Sequence, residues 1–162
     1  MSNFIDPDAA GAGHELIVRA AAAQAVVDRF LAKPMQFGER DCIHMAALNL
    51  RKMGYPNPLK ASRPYRGAVG AVRSLAVALE RLEAPAGGNL ADLLDAMTFD
   101  RIAPAEALAA DFIGYPGEDP FPVALGIAVG NGRAIAYAPD GFAYVGEILP
   151  AVTAWRVCPW LR

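Results

Sequence analysis

The stretch Phe37–Tyr55, "FGERDCIHMAALNLRKMGY", decides how this sequence reads. Pro34 and Gly38 punctuate the segment before it, so no helix runs through. Asp41 is a short polar residue of the kind that caps helix N-termini, and an apolar periodic run follows it. The pattern predicts a helix from about Cys42 to Met53, with Asp41 as N-cap and Gly54 as the stop. Cys42 is then its first residue. The thiol lies among unpaired backbone N–H groups at the positive end of the helix dipole. Such a place favours thiolate and makes Cys42 the candidate nucleophile. The competing reading is a small buried hydrophobe at a helix start, a common place for free cysteine.

A thiolate alone does not turn over an acyl substrate; it needs a base, and usually a group that orients the base. His44 is near in sequence, but two residues on a helix lie about 200° apart, so it points away from Cys42. It reads as a helix-face residue hydrogen-bonding a loop. His14 is the other histidine. It opens an earlier helix and reaches Cys42 only if the fold brings it there.

Outward from this stretch, residues 1–13 read as a flexible arm and residues 14–162 as one domain. Glu15–Ala32 is a helix with Leu16, Ala20, Ala23, Val27 and Phe30 as its apolar stripe. A proline-rich loop, "YPNPLKASRPYRG", follows the Cys42 helix. A third helix spans about Ala68–Glu83, and Asn89 caps a fourth, Leu90–Met97. After Pro104 the texture changes to short apolar runs: "ADFIGYP", "PVALGIAVG", "GRAIAYA", "GFAYVGE" and "TAWRVCP". Asn131-Gly132 and Asp140-Gly141 are two-residue hairpin signals between them. Helices first and an antiparallel β-meander second make the class α+β.

The composition excludes several functions. Among 162 residues, 54% are hydrophobic and the net charge is −2, scattered without a basic face. Nucleic acid is therefore not an expected partner. Cys42 and Cys158 are too few and too far apart for a disulfide framework and read as reduced thiols. No metal or cofactor is expected, because neither histidine sits at ligand spacing with the cysteines. Leu16–Ala32 carries Arg19, Gln24, Asp28 and Arg29, so no membrane span is expected. The first residues lack a secretory pattern, so the chain is expected in the cytoplasm unless a larger assembly carries it out. Trp155 reads as a core residue. Trp160 reads as either a contact surface or a residue packed on its own domain. Arg63, Tyr65 and Arg66 read as residues tying the proline-rich loop to the next helix, or as a groove lining.

Taken in order, "FGERDC", "YRGAVGAVRSL", "ADFIGY", "ALGIAVGNGRAIAYAPDG" and "AWRV" resemble the NlpC-type, papain-like cysteine peptidases that cut bacterial cell-wall peptides. The likeness is closer to a branch of that superfamily encoded by phages and prophages, of unknown function and found with tail genes. It covers roughly Phe30–Val157. The resemblance implies a papain-like fold with Cys42 as nucleophile. Active members carry a His-Val-Gly-Ile strand whose histidine is the base; this chain has Ala124-Leu125-Gly126-Ile127, so the expected base position is Ala124. A polar residue usually follows near Ala136. Glycine commonly stands where this chain has Ala110, before Asp111. Alanine at both partner positions implies a scaffold that has lost catalysis. The expected role is a structural or assembly component of a phage tail tip or baseplate. It would bind other tail or baseplate proteins and sit in the virion after assembly in the host cytoplasm. The alternative is a cysteine hydrolase, a peptidase or amidase acting on peptidoglycan peptides, with Cys42 and an unconventional base: His14, or an acidic or tyrosine side chain brought close by the fold.

Overall fold

The computed structural model describes residues 7–55, 65–149 and 151–158. Four helices come first: α1 (Pro7–Phe30), α2 (Cys42–Lys52), α3 (Gly67–Arg81) and α4 (Leu90–Ala96). Six strands follow: β1 (Asp100–Ile102), β2 (Phe112–Pro116), β3 (Val123–Gly130), β4 (Arg133–Tyr137), β5 (Ala143–Glu147) and β6 (Thr153–Arg156). They form one antiparallel sheet in the order β1-β6-β2-β3-β4-β5. The α+β class is as the sequence implied.

The local signals account for much of this. Asn131 and Gly132 take φ of 54° and 69°, the left-handed pair a two-residue hairpin requires, and join β3 to β4. Asn89 caps α4 through a capping box closed by Asp92. The meander holds from β2 to β5. The last strand departs from it, because β6 inserts between β1 and β2, and β1 itself had no signal in the sequence. Helix α1 begins at Pro7, so residues 7–13 of the expected arm are helical; residues 1–6 and Trp160 lie outside the described residues.

The helices cover one face of the sheet. Val26 and Phe30 of α1, Met45 and Leu50 of α2, Leu75 and Leu79 of α3 and Leu90 and Leu94 of α4 pack with Phe112, Leu125, Ile127, Ile135 and Trp155. The outer face holds a smaller cluster of Ile113, Ala128, Ala134, Ile148 and Ala154. Trp155 is fully buried, as expected, and its indole N–H donates to Asp95 Oδ1 at 2.9 Å.

The stripe assigned to α1 is rotated. Leu16 and Ala20 are exposed, and the buried side is Arg19, Ala22, Ala23, Val26 and Phe30. A wheel drawn on hydrophobicity cannot select an arginine as a core residue. Arg19 is 1% exposed and donates to Asp111 Oδ1 (2.9 Å), Val157 O (2.6 Å) and Ala109 O (3.1 Å), with Glu15 at 2.9 Å on its Nε. Asp111 is fully buried and also accepts from the backbone N–H groups of Val157 and Leu108. Arg156 Nε stands 3.2 Å from Asp111 Oδ2 without hydrogen-bond alignment, so that contact is Coulombic. The pair joins α1, the entry to β2 and the exit of β6.

Removing Asp111 takes the buried anion from Arg19 and leaves it only the partly exposed Glu15, so the cost approaches the roughly 3–5 kcal/mol of a broken buried pair. Asp111→Ala is expected to lose that much in urea unfolding. Arg101→Ala breaks the Asp95 pair, whose members are 51% and 41% exposed, and is expected to lose under about 1 kcal/mol. Equal losses would show that the buried pair is not the stronger tie.

Candidate functional site

Asp41 has extended backbone and caps α2, accepting the His44 N–H at 2.8 Å, so Cys42 is the first helical residue as expected. The Asp41 carboxylate does more than cap. Oδ1 also meets His44 Nδ1 at 2.7 Å, and Oδ2 accepts from Gly38 N–H (2.9 Å) and the Tyr65 hydroxyl (2.6 Å). The His44 and Tyr65 rings lie 5.7 Å apart. Gly38 takes φ of 90°, and a Cβ there would sit on the Tyr65 carbonyl oxygen, so only glycine permits this approach. Four hydrogen bonds hold Asp41 ionised, the His44 and Tyr65 side chains foremost, and its pKa falls below the ordinary 3.8 in spite of burial.

Cys42 is half-buried and packs against the helix-side core. The β3–β4 ladder stops at Ile127–Ile135, although both strands continue. Backbone N–H groups of Leu125, Cys42 and Ile43 act on the Cys42 sulfur and lower the cost of its thiolate. These contacts favour thiolate but lose to two larger effects. Burial, and then the Asp41 charge, push the Cys42 thiol up to about 11. The helix terminus therefore fails to activate this cysteine: burial outweighs it, and the Asp41 charge adds to burial.

Three sequence-derived partners separate from Cys42. His44 is held by Asp41 and faces Tyr65, as the helix geometry required. His14 is exposed on α1, next to Glu15, which reaches Arg19 and the Cys158 sulfur rather than Cys42. Val123, Leu125, Ile127 and Val129 alternate onto the helix side, so Ala124 falls on the outer face with Gly126. Ala136 is there too: a Cβ on Gly126 would lie 3.2 Å from its Cβ. Among the described residues, no imidazole bonds the sulfur.

Two tyrosines that the motif did not single out converge instead. Tyr65 and Tyr137 both lie within electrostatic reach of Asp41 and Cys42, and burial raises the pKa of each. Neutral phenols donate protons; they do not accept one from a thiol at neutral pH. The Tyr137 hydroxyl is buried and has no partner among the described residues. Arg63 lies outside the described residues. Ala110, at the position where the resembling family favours glycine, has φ of 71°, the left-handed region that explains that preference. No group of three metal-binding side chains occurs among the described residues.

The matching family is "Domain of unknown function (DUF6950)", whose model covers residues 18–157. The chain belongs to this family. No curated protein matches it. A crystal structure of the NlpC/p60 domain of the peptidoglycan hydrolase SagA is similar, at 18% identity and a TM-score of 0.46, over 85% of this chain and 98% of that one. In this DUF6950 chain, then, the sulfur, the capping carboxylate and the two phenols form the site, and the carboxylate is the charge that acts on the sulfur among the described residues.

A hydrogen bond to a charged group is worth about 1.5–3 kcal/mol, so Tyr65→Phe is expected to destabilise by that order. Tyr137→Phe removes an unpaired buried hydroxyl and is expected to be neutral or stabilising. The Asp41 contribution carries a pH signature. Its folded pKa is depressed, so its stabilisation is present above the ordinary 3.8 and is lost as pH falls through the lower folded value. The gap between native protein and Tyr65→Phe should shrink over that acid range in urea titrations. A gap constant down to pH 2 would remove Asp41 as the acceptor.

Proposed function

We propose that this protein is a catalytically inactive, papain-like binding component of a phage tail, at the tip or baseplate, that docks other tail proteins. The observation that carries the inactivity is that His44, the imidazole nearest Cys42 in sequence, is held on Asp41, while burial and then Asp41 push the thiol up to about 11. At neutral pH such a thiol is almost wholly protonated. General-base assistance, worth roughly 10²–10⁴ in rate, is not supplied to the sulfur by an imidazole among the described residues, since His44 serves Asp41. The tail context and virion location come from the sequence resemblance, which supports the reading without testing it.

Three measurements decide it. In a Cys158→Ser background, Cys42 alkylation by iodoacetamide should rise steeply only toward pH 11; a midpoint near 7 would mean an activated thiol. Native protein and Cys42→Ala should both release muropeptides at the buffer background, and release above Cys42→Ala would make the protein a cell-wall cysteine hydrolase. In the phage context, the polypeptide should be found in purified virions and should bind a tail-hub or baseplate protein. Absence from both ends the assembly role.

A further inference from the structure

A second concavity lies away from Cys42. Leu75 and Leu79 of α3 form its floor, with Val72 and Ala76 exposed along one edge. The connection from α3 to α4, including Gly87 and Gly88, forms one end, and Pro120, Phe121 and Pro122 of the β2–β3 turn form the opposite wall. Its volume is about 610 Å³. The wall is fixed by backbone: Phe121 N–H donates to Glu118 O at 2.8 Å and Gly117 N–H to Pro122 O at 2.9 Å. The Phe121 ring also meets Phe37 at 5.9 Å, which ties this wall to the segment entering α2.

The chemistry of the lining argues against a small ligand. Such sites need convergent polar groups to orient what they hold. The amide here, Asn89, spends its oxygen on the Ala91 and Asp92 N–H groups. Apart from Asn89, the polar side chain in the lining is Glu80, an exposed carboxylate. Glu118 and Asp119 add two exposed acids immediately before the Pro120 wall. The basic residues of α3, Arg73 and Arg81, do not line the groove. An apolar floor between fixed walls, rimmed by carboxylates, complements a segment with one apolar face and lysine or arginine beside it.

We propose that the groove between α3 and the β2–β3 turn docks a basic amphipathic segment of a partner protein. This is independent of the state of Cys42. The probe is a fluorescein-labelled helical peptide of leucine and lysine, compared with its leucine–glutamate counterpart of equal length, read by fluorescence anisotropy on the full chain. The lysine peptide should bind, and binding should weaken several-fold as salt rises from ~20 to ~300 mM. Ala76→Arg puts bulk and positive charge on an exposed helix position and should weaken binding about tenfold or more, as loss of a central contact does. Glu80→Gln should weaken it less. Leu149→Ser, at the most exposed large apolar side chain, should leave it unchanged. Equal binding of the glutamate peptide, or binding indifferent to Ala76→Arg in a protein with unchanged circular dichroism, overturns the proposal. So does a concentration-dependent dimer abolished by Ala76→Arg, which would give the groove to a second copy.

Discussion

The fold turns on a buried charge pair. Asp111 and Arg19 are 92 residues apart in sequence and meet with almost no solvent at either side chain. Each would be intolerable alone. Together they fix three things that hydrophobic packing leaves loose: the rotation of α1 about its axis, the start of β2 and the point at which β6 leaves the sheet. The remaining oxygen valences of Asp111 go to the backbone of Leu108 and Val157, so the carboxylate also replaces hydrogen bonds that the irregular ends of two strands lack. Packing supplies the energy of this core; the pair supplies its register.

The same logic recurs at α2 with a different outcome. Asp41 is a second nearly buried carboxylate, and it too is satisfied by the surrounding chain: two backbone N–H groups, a phenol and an imidazole. Lysine and arginine are absent from its hydrogen-bond partners among the described residues. Its field therefore falls on the neighbouring thiol, and the sum of burial and like charge outweighs three backbone donors at the sulfur. The His44 imidazole is spent on Asp41 rather than on the sulfur.

What was legible in the sequence is what local rules govern. The Asp41 cap, the Asn89 cap and the Asn131-Gly132 turn each involve residues within a few positions of one another, and each is present. What was not legible depends on distant residues. Leu16 looked like core because hydrophobicity was the only available guide; its exposure follows from Arg19, whose partner lies beyond the fourth helix. The place of β6 follows from pairing with β1 and β2, which no turn signal encodes. At the site, the position of Cys42 and the divergence of His44 followed from helix geometry alone. The approach of Tyr65 and Tyr137 did not, since one arrives by a loop and the other by a hairpin.

These constraints also separate the two regions of the surface on which a role can rest. Around Cys42 the polar groups are mutually satisfied, apart from the Tyr137 hydroxyl, so a ligand there must break existing bonds before making new ones. The groove along α3 imposes no such cost. Its floor is hydrocarbon, its walls are held by backbone bonds, and its carboxylates point to solvent, so an incoming apolar face releases water and leaves no protein hydrogen bond broken. Binding should therefore favour the groove over the thiol site, whatever chemistry the thiol retains. The Phe37–Phe121 contact joins the groove wall to the segment that enters α2.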